Sequence, residues 1–246
     1  MDLTAFADRR LWDLIDHVSF WVKDRAGCFV WVNRNLAEQA QASRAAIIGT
    51  KDSDWFFNEL ADVYMEDDVV VLKTQQAIIN KPELVMSADG EVVWHATSKF
   101  PYVDVSGAVA GTYGMSQPMV ALGDLPAEYA DLSLIVSYAR EHLTAGVTVE
   151  AMARKANMSL STLERTVARH LKITPLKLLQ RMRMHRARHL LTTSSLKVGE
   201  VAHECGYESF SSFSRAFRQA YGCAPGSLRH QSWSPVNSEI NYRGKL

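Results

Sequence analysis

A chain of 246 residues suits two domains, and its 27 Lys+Arg against 27 Asp+Glu leave no formal net charge. Three widely spaced cysteines, Cys28, Cys205 and Cys223, indicate neither a disulfide framework nor a zinc site. With no apolar run near 18 residues and no basic-then-apolar leader, neither membrane insertion nor secretion is expected, and a reducing cytoplasm is. The zero charge conceals a division. Residues 1–125 hold 10 Lys+Arg and 18 Asp+Glu, net −8, while residues 126–246 hold 17 and 9, net +8.

At the start of the chain, Ala7, Leu11, Leu14 and Val18 follow a four-three-four spacing that predicts an apolar helical seam. It either packs on its own domain or pairs two copies as a homodimer. Val18 to Val22 and Phe29 to Val32 read as short strands joined by the turn sequence Lys23-Asp24-Arg25-Ala26-Gly27. Helical stretches follow around Asn35 to Gln41, Ser43 to Ile48 and Leu60 to Gln76. After Ala88-Asp89-Gly90, Val92 to Phe100 and Val109 to Met115 read as strands, with Asp104-Val105-Ser106-Gly107 turning between them.

This half resembles a PAS sensor domain. The resemblance rests on Phe20-Trp21-Val22-Lys23-Asp24-x-x-Gly27, Val32-Asn33, Ile48-Gly49-x-x-Asp52, Trp55-Phe56, Asp67-Asp68, Asp89-Gly90, Ser98-Lys99-Phe100-Pro101 and Gly111-Thr112. It implies an α+β fold, a five-stranded antiparallel sheet with helices, enclosing a cavity of the kind in which small ligands sit. Trp31, Tyr64, Trp94 and Tyr113 are candidate walls, with the inward face of each strand left open. No cofactor is assigned. A flavin photosensor of this fold uses a cysteine on a mid-domain helix, whereas Cys28 precedes a strand. A haem or other cofactor redox sensor stands as an alternative, but the long helix offers no histidine, and His95 beside Trp94 reads as a hydrogen-bonded core residue. The remaining readings are an unknown organic small molecule or a domain used only for pairing.

Gln117 to Pro126, with prolines near both ends and little charge, reads as a linker. Beyond it, Thr148 is placed to cap a helix with Val149, Met152, Ala153 and Ala156 on one face. After the turn Asn157-Met158, Ser159 caps a second helix with the stripe Leu160, Leu163, Val167 and Leu171. Thr174-Pro175 opens a longer helix through about Leu191. Its Leu176, Leu179, Met184, Ala187, Leu190 and Leu191 share one face, and Arg181, His185 and Arg188 another. The pattern then returns at an offset of fifty residues: Ser159 to Arg165 matches Ser209 to Arg215, Val167 matches Phe217 and Pro175 matches Pro225. Val198, Val201, Ala202 and Cys205 form the first stripe of this copy, Gly206 the turn, and Phe210, Phe213 and Phe217 the second stripe. Each copy reads as a helix-turn-helix, and the pair lies in the basic half, where positive charge supplies affinity for phosphates.

From about Leu132 to Arg229 the chain resembles the DNA-binding domain of the AraC/XylS transcription regulators. The match runs through Arg183, Ala187, Leu190 and Leu191, then Gly206-Tyr207, Phe213-Ser214-Arg215-Ala216-Phe217, Pro225 and Arg229. The resemblance implies an all-α tandem helix-turn-helix domain whose two second helices contact bases of double-stranded DNA in successive major grooves, about 34 Å apart. It assigns those contacts to Ser161, Thr162, Glu164 and Arg165, and to Phe210, Ser211, Ser214 and Arg215. Arg165 and Arg215 suit guanine or phosphate, Glu164 a cytosine amine or pairing with Arg165 or another arginine nearby, and Phe210 a thymine methyl or the core. Arg181 and Arg183 are candidates for the DNA backbone, and Arg183, which falls near the apolar sector of its helix, is equally placed to be fixed by a carboxylate. The resemblance further allows RNA polymerase as a partner and favours activation. The expected organisation is a PAS-like domain at 1–118, a linker at 119–130, the DNA-binding domain at 131–231 with repeat units at about 148–171 and 198–221 joined by helix 175–191, and a polar tail at 232–246. No nucleophile and base are placed together in the sequence, so no catalytic residue is named and no enzyme is expected.

Overall fold

In the computed structural model, residues 9–87, 89–119 and 125–229 are described. The start of the N-terminal seam, much of the expected linker and the tail lie outside them. The chain divides into two units, Met1–Val85 with Val93–Val120, and Met86–Val92 with Ala121–Leu246.

The first unit is built on an antiparallel sheet of order β2-β1-β5-β4-β3. Its strands are β1 (Ser19–Asp24), β2 (Phe29–Val32), β3 (Ile78–Met86), β4 (Val92–Val103) and β5 (Val109–Pro118). Helices α1 (Arg34–Gln39), α2 (Arg44–Ile47) and α3 (Asn58–Thr74) fill the connection from β2 to β3. The β1–β2 and β4–β5 turns use one device. Asp24 Oδ1 accepts from the backbone of Ala26 and Cys28, and Asp104 Oδ1 from Ser106 and Ala108. In each turn a glycine, Gly27 or Gly107, takes the positive φ that a Cβ would resist. Asn33 is wholly buried and joins β1 to α1: its Oδ1 accepts from the backbone N–H of Phe20 and Leu36, and its Nδ2 donates to the Val18 carbonyl.

β1 and β5 pair closely because β5 carries glycine where β1 presses on it. A Cβ on Gly111 would collide with the Lys23 carbonyl oxygen. At Gly114, directly across from Trp21, a Cβ would stand 2.7 Å from the Trp21 ring, so this glycine seats the indole against the sheet. The expected N-terminal helix is, among the described residues, only a 3-10 segment at Arg9–Asp13. Leu11, Leu14 and Ile15 are exposed there and Val18 is buried, so the four-three-four spacing does not continue as one helical face.

The second unit, from residue 125 onward, is helical. A lead-in helix α4 (Ala130–Glu141) precedes α5 (Val149–Lys155), α6 (Leu160–Leu171), α7 (Pro175–Thr193), α8 (Val198–Glu204) and α9 (Phe210–Tyr221). Thr148, Ser159, Thr174 and Ser209 each accept a bond from the third residue beyond them, which fixes where four of these helices begin. Such caps are worth about 1 kcal/mol each. Met152, Ala153, Leu163 and Val167 bury the first pair, and Val201, Ala202, Phe213 and Phe217 the second. Tyr221 donates from its hydroxyl to the Met184 carbonyl at 3.1 Å, tying α9 to α7.

Candidate nucleic-acid interface and interior cavity

With Leu163, Val167 and Leu171 turned inward, the other side of α6 is left to solvent. Ser161, Glu164 and Arg165 are exposed there and Thr162 is half-buried. Arg165 Nη2 lies 3.5 Å from Thr162 Oγ1, holding the guanidinium along the helix. On α9, Phe210, Ser211 and Arg215 are exposed and Ser214 is half-buried. The eight residues assigned to base contact thus lie on the sides of α6 and α9 turned away from the core. Phe210 is 56% exposed, so it is a surface residue rather than a core one; Leu160 at the matching place is 45% exposed, contrary to its expected place in the buried stripe. Both are the first residue of their helix, one turn ahead of where the apolar stripe begins.

The arginines of α7 are placed differently from expectation. Arg183 Nη2 donates to the Val147 carbonyl at 3.0 Å, and its guanidinium sits 5.6 Å from the Tyr207 ring. It joins the entry to the first helix pair with the turn of the second, so it acts as a tie inside the domain. Arg181 is half-buried beside Lys177 and Gln219 in a recess between α7 and α9. The face shared by His185 and Arg188 is not a solvated one: both are buried, with Arg188 over the Tyr221 ring. Cys205 is fully buried and its thiol is pushed up to about 12 by burial, as suits a small apolar filler.

In the first unit, Ser19, Trp21 and Lys23 alternate onto one face of β1 and line a cavity of about 40 Å³. Phe29, Phe56 and Tyr64 supply its aromatic walls, and Asp52, Glu83 and Lys99 its charged ones. Of the four aromatic residues expected there, Tyr64 lines it. Trp31 and Tyr113 do not, because each stands directly across from Val22 and packs with Val22 and Tyr102 on the other face. Trp94 belongs by alternation with Phe100, which stacks on Tyr113, so it too faces away. Trp21, Lys23 and Glu83 are among the cavity residues that sequence reasoning did not single out as walls.

The charged wall is a network assembled from the motif residues. Lys23 Nζ donates to Asp52 Oδ2 at 2.6 Å and Asp68 Oδ2 at 2.7 Å. Lys81 pairs with Asp67 at 2.6 Å, and Lys99 donates to the Tyr64 carbonyl while standing 3.9 Å from both Asp67 and Asp68. Burial works to strip Lys23 of its proton, but the two aspartates outweigh it and hold its pKa above the usual lysine value. Burial likewise opposes ionisation of Asp68, yet Lys23 and Lys99 keep its carboxyl below the usual range. Glu83 goes the other way. Burial pushes it up to about 7, opposed by Lys99 and helped by the adjoining Asp67 carboxylate. His95 is held down to about 4 by burial, with Nδ1 2.9 Å from Ser116 Oγ, so it is an engaged core residue. Among the described residues no group of His, Cys, Asp and Glu is arranged to hold a metal ion.

Glu83 carries a pH prediction. The folded state keeps a proton that the unfolded chain releases near pH 4.5, so this group's contribution to stability falls as pH rises from 4.5 to about 7. Glu83→Gln is therefore expected to gain on the natural chain through that window, by about 2–3 kcal/mol at pH 7. Denaturant unfolding of both chains across the range checks this, and parallel stability curves refute it. His95 has the opposite sign in both chains, since its lowered pKa removes stability as pH falls below 6.5, and so it cancels from the difference.

Two units of this kind, a sheet with helices over an interior cavity and a duplicated helix pair with polar outer faces, define a sensor-type domain joined to a DNA-binding one. Residues 152–231 match a helix-turn-helix domain family and residues 17–121 the PAS fold family. The chain thus carries a helix-turn-helix domain of the AraC type in its C-terminal part and a PAS fold in its N-terminal half. The transcriptional activator RhaS of Salmonella schwarzengrund is 36% identical over 100 residues, 41% of this chain and 36% of that protein. The chain thus spans about a third of the length of the curated relatives it matches. The DNA-binding domain of AdpA, solved with a target DNA, is 32% identical over 46% of this chain and 98% of its own, with a TM-score of 0.39. VqmA from Vibrio cholerae aligns over 93% of both chains at 17% identity and a TM-score of 0.45. No helix among the described residues is long and apolar enough to cross a membrane.

Proposed function

We propose that the chain is a sequence-specific regulator of transcription that binds double-stranded DNA through α6 and α9 and takes its signal in the PAS cavity. The observation that carries the first part is the repetition itself. Arg165 and Arg215 stand fifty residues apart at the same place on two helices, exposed in both, above apolar residues that are buried in both. A cation reproduced in this way on the open side of a helix suits the paired contact to guanine O6 and N7. Ser161, Thr162, Glu164, Phe210, Ser211 and Ser214 complete the two reading faces, with Arg181 and Arg183 the backbone candidates on α7. Activation is the direction in which the RhaS relatives, transcriptional activators by name, point, and RNA polymerase is the partner this reading proposes. The domain limits proposed above, 1–118, 119–130, 131–231 and 232–246, go with this reading, as does the absence of an enzymatic role.

Arg215→Ala is expected to weaken binding to a selected operator by about 1–3 kcal/mol and to relax the preference at one base pair. Fluorescence anisotropy on operator and on scrambled duplex, at fixed salt, makes the comparison. Equal losses on both duplexes reduce Arg215 to a phosphate contact. Pairing through the PAS half is a second reading, favoured by the exposed Leu11, Leu14 and Ile15 beside β1. Sedimentation of the full chain at micromolar concentration decides it, since a single monomeric boundary removes a constitutive homodimer.

A further inference from the structure

Lys23, Lys81 and Lys99 stand against Asp52, Asp67 and Asp68 in the contacts described above, three cations for three carboxylates. Glu83 on β3 is a fourth carboxyl in this group, so the group is neutral only while one of its carboxyls keeps a proton. Glu83 is 6% exposed and Asp67 beside it 9%. The proton has a defined place. The two side chains are hydrogen-bonded to each other, and two carboxyls can bond only through a proton that one donates and the other accepts. Lys81 Nζ bonds both oxygens of Asp67, at 2.6 and 2.7 Å, which fixes Asp67 as the acceptor and Glu83 as the donor.

The other charged groups facing Glu83 are engaged elsewhere. On α3, Asp68 is held by Lys23, and the Tyr64 hydroxyl donates to the Leu84 carbonyl. On β4, Lys99 donates to the Tyr64 carbonyl, and His95 further along is neutral, held down to about 4 by burial. Across the cavity, Lys23 of β1 and Asp52 hold each other. One carboxyl oxygen, Glu83 Oε1, has no hydrogen-bond partner among the described residues, and neither has Trp21 Nε1; both residues line the cavity. Buried polar atoms are rarely left in this state. The cavity of about 40 Å³ has room for a few water molecules and for no organic guest. Water serves both atoms, accepting from the indole N–H and donating to the carboxyl oxygen.

We propose that the ligand of this site is the proton itself: Glu83 and Asp67 share one, and when it leaves, the new charge is met by water in the cavity and α3 parts from β3. This rests on the reading of the PAS cavity as the place where the signal enters, and names that signal as acidity. Without the proton two carboxylates face each other where little water screens them, and a direct bond between α3 and β3 is lost. β3 is the strand placed to respond, because it lies at the edge of the sheet, next to β4 alone.

The test uses the full chain with ¹³C in its glutamate carboxyls and ¹⁵N in its indoles, titrated at constant ionic strength through the neutral range. The Glu83 and Trp21 resonances are identified by their loss in Glu83→Gln and Trp21→Phe. The Glu83 carboxyl is expected to titrate with a midpoint of about 7, against 4.5 for an ordinary glutamate. The Trp21 N–H should shift with the same midpoint in the natural chain and stay still in Glu83→Gln, whose amide keeps a donor toward Asp67 at every pH. A Glu83 midpoint within about one unit of the ordinary value overturns the proposal. So does a Trp21 resonance that moves equally in both chains. Operator affinity of the same two chains tests the reading beneath. They are expected to agree at about pH 6 and to differ about fivefold or more at about pH 8. If Glu83 titrates as expected while the two affinities stay equal throughout, the proton site stands and the cavity is not where the regulator takes its signal. If Glu83 fails to titrate, the proton site falls and the cavity reading is left to another stimulus.

Discussion

Lys23→Met is expected to destabilise the PAS domain by about 3–5 kcal/mol at neutral pH, the cost of leaving buried charge without its partner. Lys23 is 1% exposed, and its ammonium is the direct partner of both Asp52 and Asp68. A methionine fills much of the same volume, so the loss reports charge rather than a void. Without the ammonium the two carboxylates repel each other where little water screens them, with Lys99 and the Thr112 hydroxyl left near Asp68 among the described residues. The double variant Lys23→Met with Asp68→Asn should recover part of the loss, because it removes one of the stranded charges. Urea unfolding followed by tryptophan fluorescence measures both. A loss below about 1 kcal/mol in the single variant would mean that water enters and screens the network.

Phe213→Ala should cost the second helix-turn-helix about 3–5 kcal/mol, the usual range for emptying a phenylalanine site in a packed core. The side chain is wholly buried, with ring centroids of Tyr207 at 5.5 Å and Phe217 at 5.8 Å. Tyr207 in turn carries Arg183, so the void also loosens the tie to Val147. Phe210→Ala three residues earlier is the control, because its ring is largely in solvent and its loss should change stability by less than about 0.5 kcal/mol. Calorimetry separates the two variants, and similar melting of both would place the core elsewhere. Operator binding should fall in both, by unfolding at position 213 and by loss of surface contact at position 210.

The helices of the second half were legible because their signals are local. A side-chain oxygen followed by an apolar stripe is enough to place Ser159 or Thr174 as a cap, and the bonds to Thr162 and Lys177 are there. Where a stripe begins is less local. Leu160 looks continuous with Leu163 and Val167 in the sequence, but it sits on the first turn, which overhangs the core. Strand β3 was hidden in the residues for a different reason. Asn80-Lys81-Pro82-Glu83 has neither alternation nor β-branched side chains, and an edge strand tolerates the proline because one side of its backbone needs no partner. The wall of the cavity could not be read at all from β1 or β2 alone. Trp21 and Trp31 are equally aromatic, and only the side on which the helices settle decides that the first faces inward. Lys23 looked like the start of a turn, yet an inward position on a strand between hydrophobic neighbours is a place where a lysine needs carboxylates, and Asp52 and Asp68 supply them from far along the chain.

The two helix-turn-helix copies meet the same backbone demands with different residues. The turn and the end of the second helix need positive φ, which the first copy meets with Asn157 and Lys172 and the second with Gly206 and Gly222. The second copy has no latitude here, since a Cβ at Gly206 would run into the Leu143 carbonyl on top of the unfavourable φ. The first has already absorbed side chains at both places, and a return to glycine is open to it. Divergence after duplication therefore has unequal room in the two halves. New operator preferences can be tried on α6 at little risk to the fold, whereas α9 is bound to a scaffold that accepts few changes.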